Sequence, residues 1–221
     1  MPGLSFEVSG ARALFYAAEP TLILDLRVTN SGPGPVEGLV LDCQVRIAAA
    51  RRDYSAAETD RLGELTAGAD PRTGIQGLPW TRVQVNASAF RESRALELPL
   101  TCSLDFNRAA PKYFHGLLEG EVPLSLQFSG TVFRRDVQDR LQVERIPWDR
   151  EAAFRLPVSV WRAVVDHYYP NQAWLELDRE VFDRLYAFKR NRNLATWEGT
   201  IDRLLKGAGE DTPDGQTQRH R

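Results

Sequence analysis

The chain has 221 residues, of which 43% are hydrophobic and 26% are charged, and its formal net charge is −2. These values are typical of a soluble globular protein and exclude a mainly disordered chain. Acidic and basic residues are interspersed, so the composition provides no overall positive field. We therefore expect neither nucleic acid nor a membrane surface to be its partner.

The apolar stretches and the cysteine content indicate the cellular compartment in which the protein is expected. The N-terminal residues show no basic region followed by a long apolar stretch, which a secretory signal needs. The longest apolar runs, such as Leu22-Ile23-Leu24, fall far short of the roughly 20 residues of a membrane-spanning helix. Only two cysteines are present, Cys43 and Cys102. We therefore expect a cytoplasmic protein with reduced thiols.

Much of the chain up to residue 156 has the two-residue alternation of β-strands with one buried face. In residues 22–28 the apolar side chains take every second position, while Asp25 and Arg27 point the other way. Turn-forming residues then separate this strand from a second alternating segment at 39–47, as in an antiparallel pair. Further strands are predicted at 4–8, 82–87, 95–104, 122–133, 141–146 and 152–156. About eight strands without regular helices between them favour a sandwich or a barrel over βαβ units, and two packed sheets would bury both inward faces.

One short helix is predicted to interrupt the strands. Ser55-Ala56-Ala57-Glu58 matches a capping box, in which the serine and the glutamate each bond to the other's backbone amide. The segment at 66–80 is rich in glycine and proline and has little apolar periodicity. We predict that it forms a long loop of the fold.

After Pro157 the apolar period changes from that of strands to that of helices. Apolar or aromatic residues at i, i+3, i+4 and i+7, from Trp161 to Tyr168, predict a first helix. A second helix is predicted after the N-cap Asp178, and a third begins at Thr196.

These patterns predict an α+β fold, a mainly antiparallel β-sandwich of about eight strands with a short inserted helix and a three-helix C-terminal segment. The sandwich is assigned to residues 1–156, and the helical segment, packed on it, to residues 157–206. Residues 207–221 contain almost no apolar side chains, so burial cannot offset the entropy of ordering them. This tail is predicted to be disordered.

The two cysteines allow two interpretations. Cys43 and Cys102 both lie on the apolar side of their strands, and their separation is similar to that of the inter-sheet disulfide of immunoglobulin domains. The core tryptophan of that pattern is absent, because the next tryptophan after Cys43 is Trp80. We therefore favour two buried thiols. No CxxC motif or paired histidine accompanies them, so a metal site is not predicted.

The histidines have no supporting motif. His115, His167 and His220 occur without a GxSxG elbow, a Walker loop or a GxGxxG motif elsewhere in the chain. We therefore predict no catalytic, cofactor-binding or metal-ligating residue and no cofactor. An alternative site would have to form in three dimensions, and His115 is its best candidate.

A basic cluster, Lys189, Arg190 and Arg192, lies near Trp197. Such a cluster can contact phosphates. It also falls at a predicted helix C-terminus, where a cation is stabilised by about 0.3–1 kcal/mol. The negative net charge favours the second interpretation.

Aromatic residues are concentrated at 148–197, which holds about half of those in the chain. Burial of the predicted helices accounts for most of them. Tyr168, Tyr169 and Trp174 surround Pro170-Asn171 and are predicted to be the exposed group. Because tyrosine and tryptophan dominate binding energies at protein interfaces, these three are the candidate partner-binding residues.

Several segments together carry a family resemblance: residues 22–30, 41–47, 51–55 with 61–63, 113–115, 128–133, 143–148, 156–158 with Trp161, and 169–171 with Trp174-Leu175. They resemble an uncharacterised bacterial family, a domain of unknown function, over about residues 4–205. The family has no established activity, so no catalytic residue is transferred. The resemblance implies a gene neighbourhood shared with uptake nickel–iron hydrogenases, and hence an accessory, maturation or assembly role.

The sequence therefore favours a non-catalytic binding or assembly protein that presents its helical segment and the loop at 66–80 to a protein partner. The alternative is a small-molecule-binding or hydrolytic enzyme with a site around His115.

Overall fold

A computed structural model describes residues 3–75, 77–106 and 108–209. Its strands are β1 (Leu4–Leu14), β2 (Thr21–Asn30), β3 (Val36–Ile47), β4 (Leu78–Phe90), β5 (Ser93–Thr101), β6 (Glu121–Arg135) and β7 (Leu141–Pro157). They form two antiparallel sheets, one of three strands in the order β1-β2-β5 and one of four in the order β4-β3-β6-β7. The predicted fold class, a mainly antiparallel sandwich with added helices, is confirmed.

The helices are short within the sandwich and longer near the C-terminus. They are a 3-10 helix (Ala49–Arg51), α1 (Ala56–Arg61), α2 (Gly63–Thr66), α3 (Pro71–Gly74), α4 (Ala109–Gly116), α5 (Val158–Tyr168), α6 (Arg179–Asn191) and α7 (Trp197–Gly207). The capping box of α1 and the N-cap of α6 at Asp178 form as predicted. The third C-terminal helix, α7, begins after Thr196, whose side chain caps it. The predicted loop at 66–80 is shortened, because Asp70 caps α3 and β4 begins at Leu78.

The structure merges two predicted strands, 141–146 and 152–156, into the single strand β7. Pairing with β6 continues from Phe128 opposite Arg150 to Gly130 opposite Ile146, so three residues of β7 face one residue of β6. Pro147 lies in this bulge and has no N–H to donate to the ladder. The polar residues that follow the bulge resemble a turn in the sequence, but they are paired with β6.

The core lies between the two sheets. The inward side chains of β2 and β3 are fully or almost fully buried: Leu22, Leu24, Leu26, Val28, Leu39, Leu41, Cys43, Val45 and Ile47. Phe6 of β1 stacks on Phe128 of β6, with ring centroids 4.4 Å apart, and so joins the sheets across the core. Burial of each such side chain contributes about 1.5–3 kcal/mol.

The chain divides into two compact units, residues 1–175 and 176–221. The first unit contains α5, which the sequence analysis grouped with the other C-terminal helices. Trp161, Val164 and Val165 of α5 are buried, and Trp161 stacks on Phe114 of α4 with centroids 5.0 Å apart. The second unit contains α6 and α7. Gly207 ends α7, and most of the tail predicted to be disordered lies outside the described residues.

A buried ion pair joins the segment between β3 and α1 to the start of β6. Arg52 donates to Glu58 at 2.8 Å, and their side chains are only 8% and 5% exposed. The Arg52 guanidinium also donates to the backbone oxygens of Glu119 and Glu121. One cation therefore holds two separate connections together.

The Glu58 carboxylate also has hydrogen-bond partners for its oxygens. It accepts hydrogen bonds from Nη1 and Nη2 of Arg52 and from the backbone N–H groups of Ser55 and Leu118. The ring of Tyr54 lies under the Arg52 guanidinium, 5.0 Å from its centroid, and its hydroxyl lies 2.7 Å from that of Tyr113. No charge in this cluster is buried without a partner.

We predict that Glu58→Gln lowers the free energy of unfolding by about 3–5 kcal/mol, because it leaves Arg52 buried beside a neutral group. Urea unfolding followed by circular dichroism measures the loss. Glu97→Gln is the matched control, since Glu97 pairs with Arg12 on the exposed surface and its loss should cost less than about 1 kcal/mol. Equal losses for the two variants would contradict the prediction.

The Arg52–Glu58 pair should make the stability of the protein depend on pH. Burial opposes ionisation of Glu58, but hydrogen bonds from Arg52 and from the backbone of Leu118 and Ser55 outweigh it and lower the pKa of Glu58 from 4.5 to about 2. The stabilisation is therefore complete above the unfolded-state pKa and is lost as the pH falls through the folded-state pKa. The stability difference between wild type and Glu58→Gln should be constant at neutral pH and should shrink between pH 4.5 and about 2. Urea titrations across this range test it, and a difference that does not change with pH would be evidence against it.

Candidate functional site

The C-terminal end of α5 is held to the turn between β1 and β2 by one side chain. Tyr168 is the last residue of α5, and its hydroxyl accepts a hydrogen bond from the backbone N–H of Ala17 at 2.7 Å. The same hydroxyl lies 3.0 Å from the carbonyl oxygen of Ala17 and 3.2 Å from that of Leu14. Tyr168 is half-buried, and its hydroxyl is hydrogen-bonded within the fold.

The turn itself carries two exposed aromatic rings. Phe15 and Tyr16 lie edge-on to the ring of His167, with centroids 4.8 and 6.0 Å away. His167 in turn lies edge-on to Tyr168 at 5.1 Å. Tyr16 is 97% exposed and has a φ of 71°, which is strained for a residue with a side chain.

Beyond α5 the chain turns at Asn171, whose φ is 58°, and brings two more rings together. Tyr169 and Trp174 meet edge-to-face with centroids 5.1 Å apart. Tyr169 is half-buried, and burial, with a smaller effect of Glu19, raises the pKa of its hydroxyl. Trp174 is 52% exposed and is anchored through its backbone beside Asp105.

Six rings lie around the C-terminal end of α5 in two groups of contacts, and we call them together the aromatic belt: Phe15, Tyr16, His167 and Tyr168 in one group, and Tyr169 with Trp174 in the other. The sequence predicted three of its members, Tyr168, Tyr169 and Trp174. Of these three, Trp174 alone is exposed. The other three belt residues were missed, because Phe15 and Tyr16 lie far from α5 in the sequence and only the tertiary fold places them beside it.

In the described part of the chain, His115 has no hydrogen-bonded acid–base partner. Its ring is exposed and lies edge-on to Phe106, with centroids 4.8 Å apart. Burial and the nearby cations Arg61 and Arg162 lower the pKa of His115. Within the described parts of the chain, the His115 ring makes no hydrogen bond to a carboxylate or a hydroxyl. The arrangement of a general base held by an acid does not form here.

A cleft of about 410 Å³ lies beside the start of α4. Trp80 and Trp161 line its apolar side, and Thr81, Thr101 and Arg108 supply polar groups. His115 is not among its lining residues, so the cleft does not create the site that the alternative prediction requires.

The cysteines are separate buried thiols. Cys43 on β3 and Cys102 just beyond β5 are both free, so the predicted reading of two buried thiols, not a disulfide, is confirmed. Burial, with a smaller effect of Asp42, raises the pKa of Cys43 to about 12, and burial raises that of Cys102 to about 12. Among the described residues, no three His, Cys, Asp or Glu side chains are grouped so as to hold a metal ion.

The basic cluster lies at the C-terminal end of α6, as predicted by the interpretation that its cations stabilise the helix C-terminus. The Lys189 ammonium donates to the carbonyl oxygens of Leu194 and Ala195 at 2.8 and 2.9 Å and lies over the ring of Trp197. Arg192 stacks over Phe188, 4.6 Å from its ring centroid. Lys189 is therefore committed to the backbone at the helix C-terminus.

A family model described as a family of unknown function, DUF6084, matches residues 1–213. The chain belongs to DUF6084. The family resemblance drawn from the sequence is thereby confirmed. Curated proteins offer no match to this DUF6084 chain. Within its described residues, none of its helices has the length and apolar character needed to cross a membrane.

Solved structures share only a distant likeness with the DUF6084 chain. The CARDB domain of the PF1109 protein from Pyrococcus furiosus is 13% identical, with a TM-score of 0.28, over 71% of this chain and 87% of that domain. A β-glucosidase from Kluyveromyces marxianus is 12% identical, with a TM-score of 0.27, over 70% of this chain and 15% of the enzyme. A β-glucosidase from Paenibacillus barengoltzii is 13% identical, with a TM-score of 0.28, and the match spans 14% of the enzyme.

We predict that neither cysteine reacts with Ellman's reagent in the native protein near neutral pH, because the thiolate is the reactive form and burial raises both pKa values to about 12. Unfolding in urea should release both thiols for reaction. The absorbance of the thiolate set free from the reagent gives the number of reactive cysteines in the native and in the unfolded protein. Rapid reaction of the native protein would show that at least one thiol is accessible.

Proposed function

We propose that this protein is a non-catalytic assembly or accessory protein that binds a protein partner through the aromatic belt. The observation that carries the proposal is Tyr16, which is 97% exposed in a left-handed backbone conformation. Such a position gains little from burial and costs conformational strain, so folding alone does not account for an aromatic residue there. Exposed tyrosine and tryptophan rings are the residues that dominate binding energies at protein interfaces.

The belt is also held in place before any partner arrives. The Tyr168 hydroxyl fixes the β1–β2 turn to α5, and the rings of His167 and Tyr168 contact each other. Trp174 is fixed by its contact with Tyr169. A surface that is already ordered loses little side-chain entropy on binding, which favours affinity.

The partner and the compartment form the finer part of the proposal. From the family resemblance we propose that the protein acts in the cytoplasm, in the maturation or assembly of uptake nickel–iron hydrogenases. The components of that process are therefore the first partners to test.

The small-molecule or hydrolytic alternative has less support. Its candidate residue, His115, is exposed and packs against Phe106 without a carboxylate hydrogen-bonded to it among the described residues. The aromatic belt, by contrast, brings rings from separate parts of the first unit into contact in two groups.

We expect the double variant Tyr16→Ala/Trp174→Ala to lose a stoichiometric protein partner that the tagged wild type retains from native lysate. Loss of two interface aromatics should weaken binding by more than about tenfold, since truncation of one such anchor costs about 2 kcal/mol or more. Titration calorimetry with the purified partner, a hydrogenase component first, measures the change. Both side chains are at least half exposed, so the fold should persist.

The matched control is Trp148→Ala, which removes a tryptophan that is 81% exposed on the β7 bulge and lies outside the belt. It should bind as the wild type does. Recovery of no stoichiometric partner, or equal binding by the wild type and the double variant, would overturn the proposal.

A further inference from the structure

The second unit carries an apolar surface that its own helices do not cover. No residue of α6 is buried, and in α7 only Thr200 is buried. Large apolar side chains of both helices remain between 40% and 50% exposed: Val181, Phe182, Tyr186, Ile201, Leu204 and Leu205. An amphipathic pair of helices usually buries such side chains against another element.

One part of the helix pair is closed by its own contacts. Trp197 packs against Phe182 and Tyr186, with ring centroids 5.5 and 6.1 Å away. The Lys189 ammonium covers the other edge of this cluster and bonds the carbonyl oxygens of the loop that follows α6. These contacts fix the two helices to each other.

A different part of the helix pair is not covered by these contacts. A groove of about 810 Å³ runs between the C-terminal end of α6 and α7. Phe188, Leu194 and Leu204 form its apolar side, and Arg192, Arg203 and Lys206 supply cations along it. All of these residues belong to the second unit.

The groove has a net positive charge. Lys206 pairs with Asp202 at 2.8 Å, so these two charges offset each other. Arg192 lies over the ring of Phe188, and neither Arg192 nor Arg203 is paired with an acidic side chain of the described residues. As far as the described residues go, two cations beside an apolar floor therefore lack an acidic partner.

We infer that this groove binds an acidic amphipathic segment of a partner protein, most simply a helix. Its apolar face would lie on Phe188, Leu194 and Leu204, and its carboxylates would pair with Arg192 and Arg203. Helices with apolar anchors at i, i+3, i+4 and i+7 bind grooves of this kind, and complementary charge sets their orientation.

The probe is a synthetic helix-forming peptide with leucines at i, i+3, i+4 and i+7 and glutamates on both flanks. Fluorescence anisotropy with the full chain should show saturable binding that weakens as salt is raised. The variant Arg192→Glu/Arg203→Glu should weaken binding by roughly tenfold or more, because two attractions become repulsions. Arg184→Glu is the matched control, since Arg184 is exposed on α6 and does not line the groove. It should bind nearly as the wild type does.

Three outcomes would overturn the inference: no binding of the acidic peptide, equal binding of a peptide with lysines in place of the glutamates, or binding of a single-stranded oligonucleotide in preference to the peptide. Circular dichroism of each variant shows that the helices persist. The belt variant Tyr16→Ala/Trp174→Ala should bind the peptide normally, so failure of the proposed function and failure of this inference are distinguishable.

Discussion

The buried ion pair between Arg52 and Glu58 is the constraint on which one end of the sandwich depends. Desolvation of two charges is unfavourable, and it is offset only when every donor and acceptor is satisfied. Here the guanidinium reaches the backbone at Glu119 and Glu121, and the carboxylate accepts the amide of Leu118. The geometry therefore fixes how the β3–α1 connection meets the start of β6, in addition to its effect on stability.

The sandwich serves as a rigid support for the surface at the end of α5. Phe6 and Phe128 join the sheets, and Trp161 anchors α5 in the buried cluster of the first unit. The hydroxyl of Tyr168 then fixes the β1–β2 turn to that helix. Because the exposed rings stand on elements held by the core, their arrangement depends on packing far from the surface itself.

The two proposed binding surfaces differ in chemistry. The aromatic belt presents rings that are fixed by one another and by the backbone. The groove of α6 and α7 combines an apolar floor with Arg192 and Arg203, which have no acidic partner in the described part of the chain. Aromatic anchors contribute mainly to affinity, whereas exposed charges contribute mainly to the association rate and to partner choice.

The sequence by itself determined the strand alternation, the capping box at Ser55 and the helix starts at Asp178 and Thr196, because these depend on local spacing and backbone hydrogen bonds. It also indicated the aromatic group around Pro170. It did not show that residues 141–157 form one bulged strand, since polar residues after a bulge resemble a turn. Only the tertiary structure decided that Tyr16 lies beside His167 and that Arg52 spans two connections. Contacts between residues distant in the chain leave no periodic signal.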